Sequence, residues 1–510
     1  VFFIRFRSML PLLTSAQMRE ADAYTIAHEP ISSVNLMERA AKAFTGWFIN
    51  HFPDPTTAIA VYCGTGNNGG DGLAIARLLH EHGYRKLSVN IARFSDKATS
   101  DFDVNQQRLQ STGISFQELH KGESFPPEDS TIIIDALLGS GLNKPLSGDF
   151  ERLVKHLNDL NKTVVAVDIP TGMPAEGEIA SDATILKADL VITFQQPKIN
   201  FLLPESGKYI QCFEVVNIGI NEGFVQSLQS PYQLVEEKDI RKLLPTRKRF
   251  SNKGTYGHAL IVAGQAKTMG AALICSSACA YGGAGLTTAC IPESGLIALN
   301  THQPEVMAIV RQGIEKPDIA WDKFTVIGIG PGLGKDEKTL ELLKDVITNY
   351  KKPIVIDADA LNLLAQHPEL LTQLPEGSVL TPHMKEFDRL FGEHRTWWQR
   401  LQTLKQKAAE LKLCIVLKND YTITATPAGQ LYFNSSGNAA MASGGMGDAL
   451  TGVITALIAQ KHSPEEACIL GNYIHGKAGD ELALPNRMRV VLPTKLIEQL
   501  PVTMARLSGS

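Results

Sequence analysis

One stretch near the start of the chain limits the fold more than any other: Ala58-Ile-Ala-Val-Tyr-Cys-Gly64-Thr-Gly66-Asn67-Asn68-Gly69-Gly70-Asp71-Gly72-Leu-Ala-Ile-Ala-Arg77. An apolar run, a glycine loop and a helical segment follow without a break. A strand that is apolar on both faces belongs in a parallel sheet with helices on either side. Gly64, Gly66 and Gly69 have the spacing of a dinucleotide-binding loop, where glycines allow a tight turn and close backbone approach to pyrophosphate. Asn67, Asn68 and Asp71 lie outside that pattern and add side-chain donors and acceptors. The acidic residue that usually meets a cofactor ribose about 20 residues later is not evident, which argues against hydride transfer.

Apolar runs recur at residues 58–63, 87–92, 131–137, 163–167, 189–194 and 213–218, with helix-length segments between them. This alternation predicts an α/β layer structure. Ahead of it, Thr14-x-x-Gln17 reads as a capping box, and Leu36, Ala40, Ala43, Phe44, Trp47 and Phe48 as one helix's packing face. The pattern lapses around Asn221–Pro231, before a basic segment from Arg241 to Lys253 that reads as solvated surface. It restarts at 258–263, 286–291, 324–329, 353–356, 378–380 and 414–417. A chain of 510 residues exceeds one ordinary core. Two α/β domains are therefore expected, 1–228 and 229–510, meeting at about Gly223–Pro231.

A net charge of -4 lacks the positive surface that nucleic acid requires. Seven irregularly spaced cysteines point to reduced thiols; Cys275 and Cys279, four apart with no second pair, do not make a zinc site. No run approaches the roughly 18 apolar residues of a spanning helix, and arginines interrupt the apolar opening Val1–Arg7. The expectation is a cytoplasmic protein without membrane or nucleic-acid partners.

Two further turns belong with the glycine loop, because ligands of open parallel sheets sit beyond the strands' carboxyl ends. They are Asp135-Ala-Leu-Leu-Gly139-Ser-Gly141-Leu-Asn-Lys144-Pro145 and Asp168-Ile-Pro170-Thr171-Gly172. Each aspartate could cap a helix, bind a cation or move protons. Asn68, Asp135 and Thr171 together offer an all-oxygen set suited to a hard cation, which leaves Asp168 for proton transfer.

In the second half, Gly437-Asn438-Ala-Ala-Met-Ala-Ser443-Gly444-Gly445-Met446-Gly447-Asp448 opens a helix near Asp448. Backbone N–H groups there can hold an anion, and the aspartate can take a proton from an attacking hydroxyl. Gly328-Ile-Gly330-Pro-Gly332-Leu-Gly334-Lys335-Asp336 fails as a phosphate-binding Walker loop because Ile329 and Asp336 occupy its first glycine and its hydroxyl position. Asp357-Ala-Asp359, Thr381-Pro-His383-Met-Lys-Glu386 and Lys418-Asn-Asp-Tyr-Thr422 also end strands; the last could be a nucleotide contact or a plain hairpin turn.

On these motifs, about Leu12 to Ile220 resembles the Rossmann-like epimerase domain of the NAD(P)H-hydrate repair enzymes. The resemblance implies that Asn67, Asn68, Gly69, Gly70, Asp71, Gly139, Ser140, Gly141, Leu142, Asn143, Lys144, Pro145 and Asp168 contact hydrated NADH or NADPH, with Asp168 catalytic. It implies potassium at Asn68, Asp135 and Thr171. Residues from about Tyr232 to Leu500 resemble the ADP-dependent NAD(P)H-hydrate dehydratases, which have a ribokinase-like α/β fold. Here the resemblance implies Asp448 as base, hydrate contacts from Ala271, Gly332, His383 and Asp448, and ADP or AMP contacts from Lys418, Asn419, Asp420, Tyr421, Thr422 and Gly447, with magnesium accompanying ADP. It also implies a homo-oligomer. Met446 stands where the family usually has Thr or Ser, and Asn419 where it usually has Gly. Two other readings compete: an ATP-dependent small-molecule kinase with an attached domain, and a non-catalytic N-terminal binding module.

Overall fold

The computed structural model describes residues 9–142, 144–311 and 317–509. The opening Val1–Arg7 and Asn143, both singled out above, lie outside the described residues. The chain divides into two compact units, Pro11–Ser230 with Thr396–Trp398, and the remainder. No helix among the described residues is long and apolar enough to cross a membrane.

The first unit is a seven-stranded, wholly parallel sheet. Its spatial order is Phe116–His120, Leu87–Arg93, Ile59–Cys63, Ile132–Ala136, Thr163–Val167, Ala188–Phe194, Ile210–Val216. The chain winds outward from Ile59–Cys63 in one direction, then returns to its other side at Ile132–Ala136. That reversal is the switch point where open α/β sheets leave a crevice. Both central strands are buried along their full length, as their unbroken apolar runs require. The capping box forms: Thr14 Oγ1 accepts from Gln17 N at 3.3 Å and Gln17 Oε1 from Thr14 N at 3.1 Å. Helix Ser33–His51 buries Leu36, Ala40, Phe44 and Phe48, while Ala43 and Trp47 pack at the edge of the same core.

The second unit is built on the larger sheet, with Met307–Arg311 at an edge. Its parallel body runs Met307–Arg311, Leu286–Pro292, His258–Val262, Val326–Ile329, Ile354–Ile356, Val379–Leu380, Cys414–Leu417. Ile423–Ala425 and Leu431–Asn434 continue it antiparallel, and Tyr232–Val235 joins the last of these in parallel. Helix Met446–Ala459 is apolar on all sides and almost wholly buried, as a core helix should be. It packs on helix Met269–Tyr281 at Gly452, where a Cβ would stand 2.2 Å from the Cys275 carbonyl oxygen. Cys275 and Cys279 are buried in that core. No cluster of three or more metal-binding His, Cys, Asp or Glu exists among the described residues.

Strands Phe116–His120 and Met307–Arg311 were not expected from the sequence. Phe116–His120 is mostly exposed and lacks an apolar run; Met307–Arg311 does carry one, Met-Ala-Ile-Val, but at the sheet edge none of the strand is fully buried.

Candidate active sites

In the first unit the turns after successive strands converge. A Cβ on Gly64 would lie 2.0 Å from the Leu137 carbonyl oxygen, so the glycine loop and the Asp135 turn meet backbone to backbone at the switch point. Asp135 is fully buried. Its Oδ1 accepts from Thr171 Oγ1 at 2.7 Å and Leu137 N at 3.1 Å, and its Oδ2 from Thr171 N at 2.8 Å. Burial pushes this carboxyl up to about 6 despite those bonds. Asn68 borders the same turn, its Cβ 3.2 Å from where Gly139 would carry one, and its Nδ2 is buried without a partner. Gly139, Ser140 and Leu142 are half-buried along the rim, while Gly141, Lys144 and Pro145 are exposed. Within helix Asn67–Glu81, Gly69 and Gly70 are buried and Asp71 partly so.

Asp168 follows strand Thr163–Val167 with φ at 64°, a backbone state rare outside glycine. The residue that sequence reasoning missed is Lys198. It is 7% exposed, and its ammonium lies 2.6 Å from Asp168 Oδ1. Its signal was available, since Pro197-Lys198 follows the carboxyl end of strand Ala188–Phe194, the next strand in the same row. Asp22 was missed as well: burial first, then the charge of Asp168, push it up to about 6. Burial, then Asp168, also raises Asp71.

In the second unit a cavity of about 1010 Å³ opens beyond three adjacent parallel strands. Those strands deliver Asp357, His383 and Lys418 to its wall, and helix Met446–Ala459 delivers Gly447 and Asp448. Lys418 Nζ lies 2.9 Å from Asp357 Oδ1, and Thr451 Oγ1 donates to Asp357 Oδ2 at 2.7 Å. Burial would raise the Asp357 carboxyl, but Lys418 and the hydroxyls of Thr451 and Thr381 outweigh it and hold it below the usual range. Asp448 accepts no hydrogen bond among the described residues. Burial, then the charge on Asp357, push it up to about 7, with Lys418 opposing.

Lys418 to Thr422 form the hairpin turn between antiparallel strands and also line the cavity. Asn419 buries its carboxamide oxygen and nitrogen without partners. His383 caps helix Met384–Phe391 through Nδ1 and remains half-exposed at the cavity. Ala271 and Gly332 adjoin each other, a Cβ on Gly332 falling 2.9 Å from that of Ala271, but neither lines this cavity. Sequence reasoning missed the far wall, where helix Pro464–Asn486 supplies Asn472 and His475. Burial pushes His475 down to about 4, so it is neutral near pH 7. Asp480 on the same helix accepts from Gly437 N at 3.0 Å and Asn438 Nδ2 at 2.7 Å, fixing the loop ahead of the Gly-Gly-Met-Gly turn.

Fold and sites define a two-unit α/β protein with glycine-rich turns gathered at strand ends in each unit. Residues 33–200 match the family described as YjeF-related protein N-terminus, and residues 259–502 the family described as NAD(P)H-hydrate dehydratase. The bifunctional NAD(P)H-hydrate repair enzyme Nnr of Moorella thermoacetica is 32% identical over 97% of each chain. That of Coxiella burnetii is 34% identical over 97% of this chain and 99% of its own. A Bacillus subtilis ADP/ATP-dependent NAD(P)H-hydrate dehydratase, co-crystallised with ATP and Mg2+, is 30% identical, covering 53% of this chain and 97% of that one at a TM-score of 0.47. The chain belongs to the bifunctional NAD(P)H-hydrate repair enzyme family.

Proposed function

We propose that residues 1–228 exchange the S and R epimers of hydrated NAD(P)H and that residues 229–510 dehydrate the S-form with ADP. The chain is a bifunctional repair enzyme, and the residue roles below are our reading. The observation that carries it is a pair of aspartates: Asp168, just past a strand end and ion-paired with Lys198, and Asp448, in the glycine-lined wall of the second unit's cavity.

In the hydrate, C6 carries both a hydroxyl and the ring nitrogen N1. Asp168 takes the hydroxyl proton, the C6–N1 bond opens to an aldehyde, and the proton passes to N1. Rotation and reclosure give the other epimer. The loops Asn67–Asp71 and Gly139–Pro145 hold the nucleotide. Asn68, Asp135 and Thr171 would hold potassium. Their donors are all oxygen, and the buried Asp135 has no ion-pair partner among the described residues, so a cation fits there. When bound it would supply the missing positive charge.

At the second site Asp448 takes the proton from the C6 hydroxyl as that oxygen attacks the β-phosphorus of ADP, and AMP leaves. The C6–O bond then breaks with release of phosphate, and loss of a proton from C5 restores the double bond. Lys418, Asn419, Asp420, Tyr421, Thr422 and Gly447 would contact ADP, and Ala271, Gly332 and His383 the hydrate. With no acidic cage for a metal among the described residues, magnesium fits as a companion of the ADP phosphates, its common mode. We further propose a cytoplasmic homo-oligomer: sedimentation tests the assembly, and cell fractionation tests the compartment.

The test supplies mixed epimers of hydrated NADPH with potassium, magnesium and ADP, and follows reduced-nicotinamide absorbance. Both epimers are recovered by the native chain, and about half by an Asp168→Ala variant once uncatalysed exchange is subtracted. No recovery with ADP, alongside a phosphorylated product accumulating from ATP, would return the second unit to a small-molecule kinase.

A further inference from the structure

The geometry points to Lys198 as a positioning residue that dedicates one oxygen of Asp168, Oδ2, to proton transfer; this rests on the epimerase reading above. Three donors converge on the other oxygen. Lys198 Nζ, Phe194 N and Thr193 Oγ1 meet Asp168 Oδ1 at 2.6, 3.0 and 3.2 Å. Oδ2 receives no hydrogen bond among the described residues.

The arrangement is held from both ends. The Asp168 N–H donates to the Ile192 carbonyl at 2.9 Å, so the turn with its left-handed backbone is tied to strand Ala188–Phe194. The same strand supplies Thr193 and Phe194, and Lys198 returns from four residues beyond it. A lysine 7% exposed needs an opposite charge, and Asp168 is its ion-pair partner. Asp22 on helix Ser15–His28 and Asp71 on helix Asn67–Glu81 also face this group, and their carboxyls feel the charge of Asp168. Among the described residues, Lys198 is the cation ion-paired within this acidic group, at Asp168, and its charge also reaches Asp22.

A carboxylate free to rotate would offer either oxygen, or neither in line. With Oδ1 saturated, the C6 hydroxyl proton goes to Oδ2 while the C6–N1 electron pair moves onto N1. Oδ2 returns that proton to N1, and the steps reverse after rotation. No net proton is gained or lost.

The experiment uses the full chain, mixed hydrate epimers and potassium without ADP, and resolves the S and R forms by chromatography. Lys198→Met lowers kcat for epimer exchange by about 10²-fold, the scale of a misplaced reacting group, with KM within about threefold. Lys198→Arg falls between, and the Asp168→Asn/Lys198→Met pair is no slower than Asp168→Asn alone because both act on one carboxylate. Full exchange in Lys198→Met with none in Asp168→Asn overturns this inference only. Full exchange in Asp168→Asn overturns the epimerase reading itself. A raised KM at native kcat makes Lys198 a substrate contact and overturns the positioning role. If circular dichroism shows that Lys198→Met has not folded, Lys198→Arg decides: native kcat overturns the inference, and a loss of about tenfold at native KM supports it.

Discussion

Each unit ion-pairs a lysine with an aspartate at a strand end, Lys198 with Asp168 at 2.6 Å and Lys418 with Asp357 at 2.9 Å. The pairs differ in what they leave free. In the first unit the paired carboxylate is itself the proposed proton acceptor. In the second, the pair lies beside the acceptor: Asp448 has no ion pair among the described residues, and it lies near Asp357, Asp359 and Glu386, with Lys418 only partly offsetting their charge. A lysine–aspartate contact therefore does not by itself mark the reacting group. What matters is which carboxylate oxygen has no donor. The second arrangement pushes Asp448 up to about 7, through burial first and the charge on Asp357 next.

Breaking the comparison begins with Asp448→Asn. General-base removal costs roughly 10²–10⁴ in rate, so dehydration of the S-form falls by about 10³ while epimer exchange persists. Exchange and dehydration measured separately on the purified variant check this, and joint loss would mean the sites do not act independently. The next test is pH. A base must be ionised to accept a proton, and Asp448 is held up to about 7. Dehydration on saturating ADP and S-hydrate should climb about tenfold per pH unit below 7 and level off above it. Lys418 opposes the upward shift, so Lys418→Met moves that limb to higher pH and restores part of the lost rate at alkaline pH. A limb that stays in place under Lys418→Met would remove Asp448 as its source.

Much of this was legible in the sequence because buried parallel strands write themselves as apolar runs. Thr163–Val167 and Cys414–Leu417 fall where the runs predict, and the turns after them carry the site residues. Edge strands need not. Phe116-Gln-Glu-Leu-His buries only Leu119, and its pattern is that of a surface segment. Ile423–Ala425 and Leu431–Asn434 are too short to stand out from the hairpin that joins them. At the sites, residues of the glycine turns were visible because turns need particular residue types. Lys198, though its strand-end position was a signal, and His475 and Asp480 were passed over, since only the fold brings each beside the residues of its site. The Asp168 and Asp357 turns both place an aspartate at a strand end, and only the side-chain contacts reveal that, among the described residues, Asp168 keeps an oxygen without a donor while both oxygens of Asp357 are bound.

A smaller effect probes the lysine's position. A Cβ on Gly447 would lie 3.1 Å from Lys418 Nζ and 3.7 Å from Asp357 Oδ2. The ammonium can shift by a few tenths of an ångström, so Gly447→Ala should fold. Steady-state kinetics should give a KM for ADP several-fold higher and a kcat within about twofold, since a binding contact is displaced and the base is not. A kcat collapse at native KM would place Gly447 in the chemistry instead.

The smallest effect concerns Met446, which is 8% exposed, belongs to the buried core and also lines the cavity at the first turn of helix Met446–Ala459. Its side chain cannot donate a hydrogen bond to a phosphate, whereas a threonine hydroxyl could. Met446→Thr therefore pulls two ways. A hydroxyl beside the anion-binding turn should lower the KM for ADP by about twofold to fivefold, the scale of one modest hydrogen bond. Removing a buried thioether and part of its chain should cost about 1–3 kcal/mol, because the core loses packed volume that a β-branched residue does not refill. Thermal unfolding with and without ADP separates the two: the midpoint falls in the absence of ligand, and the gap narrows when ADP is added. If the gap is unchanged by ADP, residue 446 serves only the core. Epimer exchange, which draws on the other aspartate, should keep its native rate throughout.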